Sequence, residues 1–317
     1  MIDQIDQYVK LFRGRGDALG TWHGGSRRCN VIREDFTNHL MSNNDAEWIG
    51  SYPHLGSRGV SWGCIDIDGK DFRLTNDSPQ VDADVWDWPQ MLQLARNLQA
   101  VLKYKAENAH IEQTRNGFHV WTFPEAGVVP APTMRRALMA ACKACKYDPK
   151  EVNPKSEELA PGKLGNYVRL PYYGALHSDS DGVGVDRFFL DADDQPTAIS
   201  TFLATVTLTA TDALEEVAKL WTPPAVVKFD GPPPADVKPI LAMLDGLTYT
   251  VWKDGPLEGR DRSSTLARLA HLLCAGGIAM PCAFSVVKDA DSRWGKFAGR
   301  ADEDEQIMNI VERAYAE

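Results

Sequence analysis

The sequence predicts an α/β (α+β) mixed-sheet domain followed by a small all-helical domain, and three observations carry that expectation. Strand-like and helix-like segments alternate through the first two thirds of the chain. Prolines and a glycine crowd Thr222-Pro223-Pro224 through Gly231-Pro232-Pro233-Pro234, where neither a helix nor a central strand can continue. Beyond that break the apolar residues recur at helical spacing. The expected organisation is a large domain over 1–222, a Pro-rich linker over 223–240 and a helical domain over 241–317.

Val60 to Ile67 reads as a buried strand, running through Trp62, Cys64 and Ile65 up to two aspartates. Asp87 can cap the next helix, with Pro89 in its first turn and Met91, Leu92, Ala95, Leu98 and Leu102 on one face. Ala109 to Gln113 and Phe118 to Phe123 follow as two strands joined by a turn at Asn116-Gly117. A helix over Thr133 to Tyr147 leads to a short segment at Glu151-Val152 and a strand over Asn166 to Leu170. In the tail, Ser263 or Ser264 can cap a helix through Leu266, Leu269, Ala270 and Leu273, which Gly276-Gly277 would end. A last helix runs from about Asp302 through Ile307, Ile310 and Val311. No internal repeat is visible.

With 317 residues and 44% hydrophobic content, the chain can build ordinary cores without disulfides. No apolar run approaches the ~20 residues needed to cross a bilayer. Met1-Ile2-Asp3-Gln4 begins neither a basic nor an apolar leader, so the expected location is the cytoplasm, with no membrane partner. A formal charge of −10 and a pI near 5.2 argue against coating nucleic acid through bulk charge. Any grip must be local, and Arg13, Arg15, Arg27 and Arg28 gather enough positive charge for a modest cationic surface. Asp302-Glu303-Asp304-Glu305 reads as a solvated helix start. Of six cysteines, only Cys142 and Cys145 have motif-like spacing, and a structural zinc site would need a second pair that the sequence lacks. The Ala- and Leu-rich surroundings place both on a helix as small core residues.

Three constellations could carry chemistry. In Cys64-Ile65-Asp66-Ile67-Asp68-Gly69, residues two apart on a strand share a face, so both carboxylates converge. A hard divalent cation is the usual compensation for such repulsion, although a solvated loop-end pair gives the same pattern. His119 lies just inside the strand after the glycine turn, as a site imidazole if that strand adjoins Asp66 and as a structural histidine otherwise. Glu151-Val152-Asn153-Pro154-Lys155 and Gly165-Asn166-Tyr167-Val168-Arg169-Leu170-Pro171 offer a third carboxylate and two cations. Glu151 could join the pair, with Asp148 as the fallback, while Lys155 and Arg169 could face a triphosphate or simply pair with neighbouring acids.

The order of these motifs resembles the archaeo-eukaryotic primase superfamily, most closely the primase-polymerases of phages, mobile elements and CRISPR-linked operons. Leu11-Phe12-Arg13-Gly14-Arg15 and Ile49-Gly50-Ser51-Tyr52-Pro53 are similar to segments that open that branch, and the likeness covers most of residues 8–191. The resemblance implies an RRM-like sheet that carries metals. It implies Asp66 and Asp68 as the first metal-binding motif, His119 as a nucleotide-contacting histidine, and Glu151 as the third acidic position. Lys155 and Arg169 fall where the family places basic residues near the incoming nucleotide. Some relatives carry a zinc insert after the opening arginines, but only Gly20 to Cys29 stands there, so no structural zinc is expected. Gly259-Arg260-Asp261-Arg262-Ser263-Ser264 and the helices after it resemble the small domain appended to many primases, a primer-initiation aid or a docking cap.

The expected activity is therefore DNA-dependent primer synthesis and extension by two-metal nucleotidyl transfer, using Mg²⁺ or Mn²⁺ held by Asp66, Asp68 and Glu151. His119, Lys155 and Arg169 would stabilise the phosphates. Arg13, Arg15, Arg260 and Arg262 would serve the template or primer initiation. Single-stranded DNA, NTPs or dNTPs and a replicative helicase are the expected partners, in replication of a phage or mobile element. A gap-filling repair polymerase and a non-catalytic replication-initiation module are the competing readings.

Overall fold

Residues 63–68 form the central strand of the N-terminal unit, where Cys64, Asp66 and Asp68 alternate with Ile65 and Ile67 and so give the two faces different chemistry. The computed structural model describes residues 2–21, 25–42, 48–72, 86–106, 108–177, 181, 185–221, 231–256 and 261–316. The chain divides into two compact units, Met1–Thr222 and Pro223–Glu317.

The first unit opens with α1 (Ile2–Phe12), β1 (Ala18–Thr21), β2 (Ser26–Arg28), α2 (Arg33–Met41) and β3 (Ile49–Ser51). The short strands β4 (His54–Leu55) and β5 (Gly59–Val60) precede β6 (Gly63–Asp68), α3 (Trp88–Ala106), β7 (Ala109–Gln113) and β8 (Gly117–Thr122). Then come β9 (Val129–Pro130), α4 (Ala131–Ala144), β10 (Glu151–Asn153), β11 (Val168–Arg169), β12 (Phe188–Phe189), α5 (Ile199–Thr205) and α6 (Thr211–Ala218).

The main sheet has the order β10-β6-β8-β7-β12, and every neighbouring pair is antiparallel. Its core, β6-α3-β7-β8-α4-β10, is a βαββαβ unit with strands ordered fourth, first, third, second, the arrangement of an RRM-like sheet. Ile65, Ile67, Ile111, Val120 and Val152 turn their apolar side chains to one face, where α3, α4 and α6 cover them with Met91, Leu98, Met134, Leu138 and Leu214. The other face is divided. Toward one end, Trp121 and Phe123 meet Phe12 of α1 edge-on, with ring centroids 5.4 and 5.2 Å away. Toward the other end lie the carboxylates.

Two predicted strands differ from those observed. Val60 to Ile67 is not one strand, because the Ser61 amide bonds to the Pro53 carbonyl (3.1 Å) and Val60 pairs into a separate β4-β5-β9 sheet. Asn166 to Leu170 shortens to β11, which joins a third sheet, β11-β3-β1-β2. Asp87 caps α3 as expected, its carboxylate accepting from the Gln90 amide at 3.0 Å.

The second unit comprises α7 (Lys238–Leu241), α8 (Gly246–Asp254), α9 (Arg262–Ala275), α10 (Met280–Trp294) and α11 (Glu303–Ala316). Leu266, Leu269, Leu273, Phe284, Val287 and Val311 form its core. The cap of α9 is Asp261 rather than Ser263 or Ser264, since its carboxylate accepts from the Ser263 amide and the Ser264 hydroxyl. Within the stretch expected as linker, Ser285 donates to the Pro234 carbonyl at 2.7 Å and Val237 packs on the helical core. No helix among the described residues is long and apolar enough to cross a membrane.

Candidate active site

Strand register assembles the polar half of the sheet. Asp66 lies directly opposite Glu151 on one side and His119 on the other, and His119 lies opposite Glu112 of β7. Alternation puts Asp68 on the same face, paired with Gly117. A side chain at Gly117 would meet the Ile67 carbonyl at 2.0 Å, so only glycine permits the two strands to close there. The Asp66 and Asp68 side chains remain 34% and 30% exposed, enough for an ion or nucleotide to reach them. Asp68 also accepts from the Lys70 amide at 3.1 Å. Glu151 Oε1 accepts from the side-chain amides of Asn153 (3.3 Å) and Asn166 (3.2 Å). Asp148, the alternative third carboxylate, is exposed in the turn after α4 and off the sheet.

Glu112 is fully buried, and three donors satisfy it: His119 Nδ1 at 2.9 Å, Trp121 Nε1 at 2.6 Å and Arg187 Nε at 2.7 Å. Burial opposes its ionisation, but the Arg187 charge and then His119 outweigh that and hold the carboxyl down at about 2. His119 Nε2 faces Asp66 Oδ1 at 3.4 Å, which completes a chain from Arg187 through Glu112 and His119 to Asp66. The guanidinium of Arg187 also stands 3.0 Å from His119 Nδ1, yet that nitrogen has one role, and the carboxylate gives it the donor role. Burial disfavours the charged imidazole, and the neighbouring Cys64 thiol is itself kept neutral by burial. Glu112 and Asp66 therefore account for an imidazole held well above its ordinary range. Burial likewise resists ionisation of Asp66, and the bond and charge of His119 pull its carboxyl below the usual value.

Glu112, Arg187, Asn153 and Asn166 were not predicted as site residues. Period-two alternation from Glu151 could have pointed to Asn153, which shares its face, but Arg187 lies in a segment with no periodic signal.

The basic candidates are distributed differently. Lys155 is exposed just beyond β10. Arg169, on the third sheet, stacks over Trp48 at 4.6 Å from the ring centroid. Arg13 is exposed and reaches the Val31 carbonyl at 3.4 Å. Arg15 is engaged, with one edge on the Asp17 carboxylate and Nη1 3.2 Å from each of the Lys163 and Leu164 carbonyls. Arg28 bonds the Gly162 carbonyl at 2.8 Å and Arg135 the Pro154 carbonyl at 3.0 Å, so three guanidinium groups hold the 154–165 loop through its main chain. Arg262, in the helical unit, bonds the Trp294 and Gly295 carbonyls at 2.9 and 2.8 Å. Arg260 lies outside the described residues.

Among the described residues, no group of three or more His, Cys, Asp and Glu side chains is drawn close enough to hold a metal ion as it stands. The donor set nonetheless suits a hard cation, since Asp66, Asp68 and Glu151 present carboxylate oxygens from adjacent strands on one face. The buried Asn153 Oδ1, which has no hydrogen-bond partner among the described residues, adds a neutral amide oxygen, also a hard donor, on the strand that carries Glu151.

A family model described as the archaeo-eukaryotic primase domain of the TOTE conflict system matches residues 23–217. No curated protein matches the chain.

Proposed function

The chain belongs to the archaeo-eukaryotic primase domain family of TOTE conflict systems, and from that premise we propose that it is a template-directed nucleotidyltransferase of the primase-polymerase type. The template would be single-stranded DNA and the substrates NTPs or dNTPs. A 3′-hydroxyl attacks the α-phosphate of the incoming nucleotide, forming a phosphodiester and releasing pyrophosphate. Asp66, Asp68 and Glu151 would hold Mg²⁺ or Mn²⁺, which supplies positive charge against the triphosphate and acidifies the attacking hydroxyl. His119 presents Nε2 toward Asp66 and the open side of the sheet, where a buried carboxylate behind it fixes the ring to contact a phosphate oxygen. Lys155, exposed beside Glu151's strand, can approach the same phosphates. For Arg169 a nucleotide contact would compete with its stacking on Trp48.

The observation that supports this reading is the cross-strand row in which Asp66 stands between Glu151 and His119. The test is nucleotide incorporation on defined single-stranded templates, with each nucleotide type and with Mg²⁺ or Mn²⁺. Asp66→Ala/Asp68→Ala is expected to reduce incorporation to background while the circular dichroism spectrum is unchanged. Full activity in that variant would dismiss the site. Dinucleotide synthesis without a primer separates primer synthesis from gap filling, and absence of any metal-dependent nucleotide affinity would favour a non-catalytic binding module.

A further inference from the structure

Glu151 occupies β10, a three-residue strand at the edge of its sheet, where a long side chain has room to turn away from Asp66. Two carboxamides restrain it. Asn153 and Asn166 both donate to Oε1, and Oε2 has no protein donor among the described residues. The chemistry of those donors matters. A lysine or arginine would cancel the carboxylate's charge and compete with a cation, whereas a neutral amide orients the group and leaves its charge available.

Asn166 is itself held in place from both sides. Tyr167 lays its ring on the cross-strand pair Gly20 and Gly50, where an added Cβ would come within 2.3 and 2.2 Å of the ring. Upstream, Arg15 grips the Lys163 and Leu164 carbonyls. Arg15, the glycines of β1 and β3 and the Tyr167 ring thus flank the segment whose Asn166 amide meets one carboxylate oxygen.

We infer that Asn166, assisted by Asn153, is a positioning residue that aims Glu151 for cation binding, with the Arg15 hold on the preceding carbonyls as part of its support. The inference rests on the metal-binding reading of Asp66, Asp68 and Glu151. Its test is Mn²⁺ binding to the full chain, measured from the electron paramagnetic resonance signal of free Mn²⁺ for wild type, Asn166→Ala and Asp66→Ala/Asp68→Ala. Asn166→Ala is expected to weaken binding about tenfold or more, with the melting temperature little changed, and the double variant to abolish it. Wild-type affinity in Asn166→Ala together with lost binding in the double variant would overturn the inference and leave the metal site standing. Wild-type affinity in the double variant would remove the metal-binding reading itself. Should Asn166→Ala fail to fold, Asn166→Ser, too short to reach Oε1, gives the same comparison.

Discussion

Arg187→Ala tests the polar chain beneath His119 most directly. The substitution leaves Glu112, with no exposed surface, facing only His119 and Trp121. Breaking a buried ion pair costs about 3–5 kcal/mol because the remaining charge is stranded. The lower end applies here, since His119 still offers a proton donor at 2.9 Å. The acidity of Glu112 gives a similar figure: the interval between its ordinary 4.5 and about 2, at ~1.4 kcal/mol per pH unit, corresponds to about 3 kcal/mol. That contribution is complete above pH 4.5 and lost as pH falls toward 2. For a unit of this size, about 3 kcal/mol lowers the melting temperature by about 6–12 °C. Thermal unfolding at pH 7, followed by near-ultraviolet circular dichroism, reads the effect. Adding Glu112→Gln to Arg187→Ala removes the stranded charge and should recover at least ~1 kcal/mol. A single variant melting within about 2 °C of wild type would refute the argument, since stranding a buried charge costs more than that.

Two further outcomes follow from the N-terminal unit. His39 is buried, with Nε2 on the Pro171 carbonyl at 2.9 Å and Nδ1 accepting from the Ile49 amide at 3.2 Å, so protonation would set two donors face to face. Burial, with the charges of Arg169 and Arg187, pulls its imidazole down to about 3. The unfolded chain therefore takes up this proton first, and stability present above pH 6.5 falls by ~1.4 kcal/mol per pH unit below it, about 2 kcal/mol by pH 5. Urea unfolding at pH 7 and 5 should show that loss in wild type and not in His39→Gln, and equal losses would contradict it. Gly14→Ala should destabilise by at least ~2 kcal/mol, because its Cβ would lie 1.6 Å from the Tyr52 carbonyl oxygen. An unchanged urea midpoint would show that the two segments can separate freely.

Period two made the faces of β6 legible, because an aspartate, an isoleucine and another aspartate in sequence divide polar from apolar without ambiguity. Helices α3, α9 and α11 were legible for the equivalent reason at helical spacing. The pairing partners were not. Nothing within Val60 to Ile67 marks where the chain leaves one sheet for another, since an apolar run reads alike in both. Glu112 was hidden for a related reason: His110 and Glu112 alternate with Ala109 and Ile111 as they would on a strand with one wet face. The aromatic residues of α1 and α5 roof that face, and their approach is a long-range event that local pattern does not encode. The commitments of Arg15 to Asp17 and two carbonyls were equally out of view, because local sequence shows only an arginine near other arginines.

The grip of Arg15, Arg28 and Arg135 on the 154–165 loop has an evolutionary corollary. Their contacts there are to peptide oxygens, which every amino acid supplies, so the hold is indifferent to what the loop carries. An exposed position such as Lys163 can then change character while the path that delivers Asn166 to Glu151 keeps its course.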